Sequence, residues 1–159
     1  MTPPNQIYKK WLNEYKDHRF LRRKRWAVLD EIITKYNVKS VLEFGSGIST
    51  VLFDNLGIKV NSFETDLDHA YRVKQLVSDN IRINVWDNKE APTLKTYDLA
   101  LIDGAEPRHN QIKLGIKHAR FLAIDDYNGS KPKRYRQHLE GFERIDDQTT
   151  IMAVFDTNG

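Results

Sequence analysis

The sequence predicts an α/β fold in which helices cover both faces of a doubly wound, mostly parallel sheet. Short apolar segments with strand character alternate along the chain with segments of helical periodicity, the order that parallel βαβ units require. The first strand is followed at once by the glycine turn Gly45-Ser46-Gly47 and then by a helical stretch. A chain of 159 residues is long enough for one buried core and too short for two, so we expect a single domain.

The composition narrows the class of protein. The chain contains no cysteine, which excludes disulfides, a thiolate nucleophile and a thiolate metal site. It has neither an apolar run long enough to span a membrane nor an apolar signal core at its N-terminus. We therefore expect a cytoplasmic protein with no membrane partner. Residues 1–40 carry a net charge of +6 and the remainder carries −3, so a basic segment precedes a mildly acidic body.

Residues 1–40 are predicted to form a helical cap that belongs to the same domain as the ligand-binding body, residues 41–159. Apolar side chains recur every three or four positions in residues 6–16, and again from about Phe20, which predicts two amphipathic helices. The basic residues between their apolar faces begin with Arg19 and end with Arg25. They are interpreted either as a solvated helix face or as a contact to an anionic substrate or a nucleic acid. The sequence predicts no oligomeric state.

Five short segments have the character of strands, and a closing hairpin follows near the C-terminus. One of them, residues 97–102, is apolar except for Asp98, as expected of a buried parallel strand, and another, residues 81–86, alternates apolar and polar positions. The strands are predicted at residues 41–44, 59–64, 81–86, 97–102 and 121–124, and the two strands of the hairpin at 142–145 and 151–155.

Helices are predicted between the strands from apolar residues spaced three and four positions apart. Residues 68–79, for example, place Ala70, Val73 and Leu76 on one apolar stripe. Residues 88–96 contain a proline and are expected to form a loop or a short helix. The helices of the body are predicted at residues 48–56, 68–79 and 112–120, with a short one at 134–140.

A glycine or a carboxylate follows each predicted parallel strand. The carboxyl ends of parallel strands meet at the same edge of a sheet, and ligands of doubly wound folds bind in the crevice at that edge. The residues predicted to line this crevice are Gly45, Glu64, Asp87, Asp103, Asp125 and Asp126.

The glycine turn and Glu64 together point to a ligand that contains a ribose. Glu64 stands 19 residues after Gly45, where its carboxylate can accept hydrogen bonds from both ribose hydroxyls. Nicotinamide dinucleotides use the same arrangement, but their pyrophosphate requires a third glycine where this chain has Thr50. S-adenosylmethionine (SAM) has no phosphate and is therefore favoured. Its predicted contacts here are Gly45, Ser46, Gly47, Glu64 and Thr65.

Three further residues are candidates for contacts with the cofactor. Glu43, just before the turn, can order the loop from beneath and receive the ammonium group of the ligand. Asp87, at the end of the third strand, can accept a hydrogen bond from the adenine amine, and the adjoining Trp86 offers a stacking surface.

Four stretches of the sequence resemble the class I SAM-dependent methyltransferases: VLEFGSGIST, SFETD, YDLALIDGA and FLAIDDY. The resemblance spans roughly residues 38–156, with Ser49 in place of the usual third glycine of the family's first motif. It implies a Rossmann-like sheet of seven strands whose last strand is antiparallel, a bound SAM, and methyl transfer as the reaction. The N-terminal helices would then cap the substrate side.

Asp103 and the pair Asp125-Asp126 end two strands that are expected to be neighbours. Three close carboxylates need a cation or a proton between them, and their hard oxygens suit Mg²⁺ or Ca²⁺ rather than zinc. The pattern is similar to the metal-dependent O-methyltransferases of catechols and sugars, which implies a metal that grips two acceptor oxygens. The alternative is that Asp103 contacts the cofactor or a helix N-terminus while the pair caps the next helix.

Asp103 and His109 are the candidate catalytic residues. Catechol-type enzymes have a lysine base three residues after the first metal-binding aspartate, but this chain has Glu106 there. His109 or Lys113 can take that role instead. The implied reaction is an in-line displacement in which the protein mainly positions the reactants.

The favoured function is SAM-dependent methyl transfer to a hydroxyl of a small molecule or a sugar. Methylation of DNA amino nitrogens is disfavoured because the sequence lacks the Asn/Asp-Pro-Pro-aromatic motif of those enzymes. Methylation of cytosine C5 is excluded because it needs a cysteine, and the sequence has none. Methylation of an RNA ribose also stays open because of the basic N-terminal segment, although the Lys-Asp-Lys-Glu tetrad of that family is not evident. Two further alternatives are a non-catalytic module that binds nucleic acid or protein through residues 19–25, and an enzyme that degrades SAM itself.

Overall fold

The computed structural model describes residues 23–127, 135–148 and 152–158. The helix predicted for residues 6–16 and the basic residues 19–22 lie outside the described residues. The division into a cap of residues 1–40 and a body of residues 41–159 therefore stays a prediction. No helix among the described residues has the length and apolar character needed to cross a membrane.

The described residues form one sheet of seven strands, and the predicted doubly wound α/β fold is confirmed. The strand order is β3-β2-β1-β4-β5-β7-β6, with β1 at the centre of five parallel strands. The last two strands are antiparallel, as the resemblance implied. The strands are β1 (Ser40–Phe44), β2 (Lys59–Glu64), β3 (Ile81–Val85), β4 (Tyr97–Ile102), β5 (Ala119–Ile124), β6 (Glu143–Arg144) and β7 (Ala153–Asp156).

Four α-helices and one short 3₁₀ helix accompany the sheet in the described residues. The segment 88–96 forms no helix, so the loop alternative is correct there. The helices are α1 (Arg23–Tyr36), α2 (Ile48–Asn55), α3 (Leu67–Lys74), α4 (His109–His118) and the 3₁₀ helix Arg136–Leu139.

Several predicted boundaries differ from the structure, and contacts from other elements explain two of them. Helix α3 ends at Lys74 instead of residue 79, and Ser78 is held to α2 because its amide and hydroxyl donate to the Asp54 carboxylate at 2.7 and 2.5 Å. Strand β5 begins at Ala119, where Tyr97 is its partner on β4. Residues 119 and 120 were predicted as the end of a helix, but their pairing with β4 decides their conformation.

Helices cover the two faces of the sheet with separate apolar clusters. On one face α1 packs through Leu29, which is fully buried, and through Trp26, whose ring lies 5.4 Å from that of Phe53. On the other face α4 packs through Ile112 beside the 3₁₀ helix. Each cluster removes apolar side chains from water, which holds α1 on one face of the sheet and α4 on the other.

The register of the parallel strands aligns their carboxyl ends. Phe44 of β1 lies opposite Phe63 of β2 and Ile102 of β4, and the amide of Asp103 donates to the carbonyl of Phe44 at 2.9 Å. The residues that follow these strands, Gly45 among them, therefore meet at one edge of the sheet. This edge is where the predicted crevice lies.

Candidate cofactor-binding cleft

The turn after β1 passes against the backbone that follows β4. Gly45 has a φ of +90°, and a Cβ built on it would lie 2.4 Å from the carbonyl oxygen of Asp103. No side chain fits in that space, and the φ itself disfavours any residue other than glycine. The turn therefore requires glycine both for its positive φ and for the close approach of the Asp103 backbone.

Glu43 lies beneath the turn, and the structure corrects one of its two predicted roles. It is fully buried, and its carboxylate accepts hydrogen bonds from the hydroxyls of Ser49, Thr50 and Ser62 at 2.5–2.8 Å. The Thr50 hydroxyl also accepts from the amide of Gly47 at 3.0 Å, so Glu43 orders the loop as predicted. Contact with the ammonium group of a ligand is not possible for a carboxylate with no exposed surface.

Burial also changes the proton affinity of Glu43. Removal of the carboxylate from water raises its pKa from 4.5 to about 7, although the three hydroxyl donors act in the opposite direction. The charged form loses more hydration than the donors restore. Glu43 therefore titrates near neutral pH while it holds the turn.

Glu64 ends β2 beside the turn, as predicted. One carboxylate oxygen accepts from the amide and hydroxyl of Ser46 at 3.1 and 2.9 Å, and the other accepts from the amide of Asp66 at 3.0 Å. The carboxylate is thereby fixed at the end of the strand. Thr65, the next residue, lines the same cleft.

His69 is a part of the site that the sequence analysis did not find. It is buried on α3, and its Nε2 donates to the carbonyl of Ser46 at 2.7 Å. Since a carbonyl only accepts hydrogen bonds, Nε2 of His69 carries a proton. No spacing to another histidine or carboxylate marks this residue in the sequence, because its partner is a backbone atom 23 residues away.

These residues enclose a cleft of about 490 Å³ at the carboxyl edge of the sheet. This volume lies within the range of about 300–1,000 Å³ that is usual for small-molecule sites. Of the predicted site residues, Gly45, Ser46, Glu64, Thr65, Asp103 and Asp125 line it. Gly47 does not line the cleft and is the N-cap residue of α2.

Trp86 and Asp87 follow β3, but neither lines the cleft. The Trp86 ring packs against Phe44 and Phe63 with centroids 5.4 and 5.9 Å apart, and its Nε1 donates to the carbonyl of Glu90 at 2.6 Å. The Asp87 carboxylate accepts from the backbone of residues 89 and 90, which holds its pKa below the ordinary value. The predicted adenine contacts therefore remain predictions, with both side chains engaged by the protein.

The acidic end of the cleft contains Asp103, Asp125 and a cation that sequence reasoning did not place there. Arg25 of α1 reaches Asp125 through one guanidinium nitrogen, Nη1, which lies 2.5 Å from both carboxylate oxygens. Only 12 % of the Arg25 side chain and 7 % of the Asp125 side chain is exposed. Arg25 therefore belongs to the cleft and is not part of a free basic surface.

Asp103 faces the same end of the cleft. Burial raises its pKa well above 3.8, and the negative charge of Asp125 raises it further, while Arg108 acts in the opposite direction. Arg108 lies 4.0 Å from Asp103 and donates to the carbonyl oxygens of Gly104 and Asp125 at 2.9 and 2.7 Å. One guanidinium thus joins the loops that follow β4 and β5.

Of the three predicted metal ligands, Asp103 and Asp125 meet at the acidic end of the cleft, but Asp126 does not join them. In the part of the chain that the structure describes, no three or more His, Cys, Asp or Glu side chains are placed to hold a metal ion. Asp126 has a φ of +58° and does not line the cleft, while Asp125 is engaged by Arg25. The predicted triad of Asp103, Asp125 and Asp126 therefore needs correction.

His109 does not line the cleft either. Its Nδ1 lies 3.0 Å from Nε2 of His138, and its ring packs edge-on against Tyr135 with centroids 4.6 Å apart. The Tyr135 hydroxyl bonds to the Glu106 carboxylate in turn. His109 is part of a polar cluster behind the cleft, and of the two predicted catalytic residues only Asp103 faces the cleft.

Solved structures share this architecture although their sequences are distant. The O-methyltransferase from Bacillus cereus in complex with S-adenosylhomocysteine (SAH) is 13% identical, with a TM-score of 0.74 over 96% of this chain and 90% of its own. The O-methyltransferase TomG from Streptomyces achromogenes, involved in tomaymycin synthesis and bound to SAM, is 12% identical, with a TM-score of 0.70 over 100% and 91%. A candidate caffeoyl-CoA O-methyltransferase from Staphylococcus aureus is 15% identical, with a TM-score of 0.74 over 97% and 91%.

The fold is that of the class I SAM-dependent methyltransferases, in agreement with the strand order and the antiparallel last strands. No protein-family model matches the sequence, and a search of curated proteins also finds no match. At 12–15% identity the likeness defines the fold, so function is argued from the cleft.

Proposed function

We propose that this protein is a SAM-dependent methyltransferase that transfers a methyl group to a hydroxyl oxygen of a small molecule or a sugar. The observation that supports the proposal best is the approach of Gly45 to the backbone of Asp103, beside the carboxylate of Glu64. A glycine surface next to a fixed carboxylate, at the carboxyl edge of a doubly wound sheet, suits an adenosyl ligand.

The residues of the cleft fit SAM. The backbone of Gly45 and Ser46 would form the floor, and the carboxylate of Glu64 would accept hydrogen bonds from the ribose hydroxyls. Glu64 already accepts three hydrogen bonds from the protein, which fix its position but leave lone pairs for a ligand. Bound SAM supplies an electrophilic methyl group on a positively charged sulfur.

Asp103 is the proposed group that accepts the proton of the acceptor hydroxyl. It lines the cleft, and burial raises the pKa of its carboxyl, which makes the carboxylate a stronger base. Arg108 lies 4.0 Å away and limits the negative charge of the site. Deprotonation would increase the nucleophilicity of the acceptor oxygen, and alignment of that oxygen would supply much of the remaining rate.

A divalent cation does not fit the donor set as it stands. Both oxygens of Asp125 contact Arg25 at 2.5 Å, and Asp126 does not line the cleft. A divalent ion bound to the same carboxylate would lie within a few ångströms of the positively charged guanidinium, and the two cations would repel each other. No step of the proposed reaction is therefore assigned to a metal.

Methyl transfer can be tested with SAM labelled in its methyl group and a panel of catechols, phenols and sugars. The proposal predicts label in at least one small acceptor, and greatly reduced transfer by Asp103→Asn at unchanged SAH affinity. Label in RNA would instead support a nucleic-acid substrate. Breakdown of SAM without any acceptor would support degradation of the cofactor, and binding without turnover would support a non-catalytic module.

A further inference from the structure

We propose that Arg25 is a built-in cation of the acceptor end of the cleft, where its guanidinium takes the place of a divalent metal between the cleft and Asp125. That Arg25 excludes a metal from this site is independent of the reaction that the protein catalyses. The consequence for methyl transfer, that the reaction does not depend on a divalent cation, rests on the proposed function.

The contact between Arg25 and Asp125 has the features of a specific site. The two residues are 100 positions apart, on α1 and at the end of β5, so the fold brings them together. Nη1 of Arg25 lies 2.5 Å from each oxygen of Asp125, and both side chains are largely buried. A pair with so little exposure is weakly screened and costly to break, unlike a surface ion pair.

The surroundings also disfavour an additional cation. Arg108 uses its guanidinium to bind the carbonyl oxygens of Gly104 and Asp125, the backbone groups that could complete an oxygen coordination shell. A divalent ion near Asp103 would meet the positive charges of Arg25 and Arg108. The two arginines thus bind the oxygen atoms that a metal would need as ligands. They also supply the positive charge that a metal would provide.

Arg25 is also placed where it can act on an acceptor. It lines the same cleft as Asp103, and its Nε is buried without a hydrogen-bond partner. A guanidinium keeps its charge at any physiological pH, so the positive potential at this end of the cleft does not depend on metal supply. Acceptors that carry an oxygen anion or a carboxylate next to the methylated hydroxyl suit this potential best.

The test is to remove the guanidinium and ask whether the carboxylates then bind a metal. Mn²⁺ alone is titrated into the wild type, Arg25→Ala and Arg25→Gln, and bound Mn²⁺ is followed by electron paramagnetic resonance. We expect no site-specific binding to the wild type and an affinity for Mn²⁺ at least tenfold higher in the variants, because neither variant has a positive charge next to the Asp125 carboxylate. The double variant Arg25→Ala/Asp125→Asn should lose the gained site.

Two controls make the result specific. Arg144→Ala removes a similar ion pair, with Asp146 at 2.7 Å, outside the cleft, and should gain no comparable affinity for Mn²⁺. Arg25→Gln keeps a hydrogen-bonding group next to Asp125 and serves if the alanine variant does not fold, which circular dichroism establishes. Equal Mn²⁺ affinity of the wild type and the variants would overturn the proposal, as would folded Arg25 variants that bind no Mn²⁺.

The proposal and the proposed function can fail separately. Absence of SAH binding by the wild type would remove the methyltransferase while the Mn²⁺ result still decides the role of Arg25. If SAH binds and methyl transfer is found, its rate should be unchanged by EDTA. A rate that EDTA abolishes and Mg²⁺ restores would contradict metal-independent transfer.

Discussion

Gly45 serves two purposes at one position, because its φ of +90° reverses the chain and its missing side chain admits the backbone of Asp103. Gly45→Ala should therefore destabilise the fold by about 2 kcal/mol or more and abolish SAH binding. Urea denaturation and calorimetric titration measure the two effects. Gly57→Ala is the matched control, because Gly57 has a φ of +74° but nothing within 4 Å of an added Cβ. If both variants lose equal stability, the close approach at Gly45 is unimportant.

Glu43 should make the stability of the protein depend on pH in a specific direction. Its pKa is about 7 in the folded protein and near 4.5 when unfolded, so between these values only the folded state retains the proton. The free energy of unfolding therefore falls as the pH rises from about 4.5 to 7, by about 3 kcal/mol from this group, and levels off above.

Glu43→Gln removes this titration and keeps the shape of the side chain. Relative to the wild type, the variant should become more stable as the pH rises through this range, as measured by urea denaturation at several pH values. The exposed Glu143→Gln should follow the wild-type profile. A constant difference between Glu43→Gln and the wild type at all pH values would show that Glu43 has an ordinary pKa.

The residues of the site differ in how well the sequence reveals them. Gly45 and Glu64 were named because Gly45 follows one strand and Glu64 ends the next, and because a turn or a ribose favours that residue type. Arg25 was named only as one of several basic residues that could contact an anionic substrate, and His69 was missed, because their partners, Asp125 and a backbone carbonyl, lie 100 and 23 residues away. A basic residue on a predicted helix has many interpretations until the packing of that helix is known.

At the scale of elements, α1 matters because it carries Arg25 to the cleft. Leu29, one turn further along, is fully buried and holds the helix against the sheet. Leu29→Ala should lower the free energy of unfolding by about 2–5 kcal/mol, since it leaves a cavity in the core. Urea denaturation measures the change, and the exposed Glu31→Ala, on the same helix, should alter stability by less than about 0.5 kcal/mol. Similar small losses in both variants would show that α1 is not docked as described.

Element boundaries show where local pattern stops being informative. Strand β4 was predicted with its observed bounds, because the mostly apolar segment is bordered by the polar residues Thr96 and Asp103. The end of α3 and the start of β5 were not, because Asp54 and Tyr97, on other elements, determine them. Periodicity describes a segment alone, whereas these limits depend on its partners.

For the whole molecule, the alternation of strands and helices was sufficient to predict the doubly wound sheet and the edge at which the cleft lies. The groups that surround the carboxylates at this edge were not predictable in the same way. The carboxylates of Asp103 and Asp125 do reach one end of the cleft. Helix α1, which packs on one face of the sheet, brings the Arg25 guanidinium to Asp125. The topology thus set the location, and the packing of one helix changed the chemistry expected there.

The measurement that tests the central claim most directly is isothermal titration of SAH into the wild type and into Glu64→Ala. Micromolar binding by the wild type, about −8 kcal/mol, is expected, with most of that affinity lost in Glu64→Ala because the ribose hydroxyls lose their acceptor. The exposed Glu143→Ala, which lies outside the cleft, should bind as the wild type does. Absence of binding by a folded wild type would contradict the assignment of the cleft to an adenosyl cofactor.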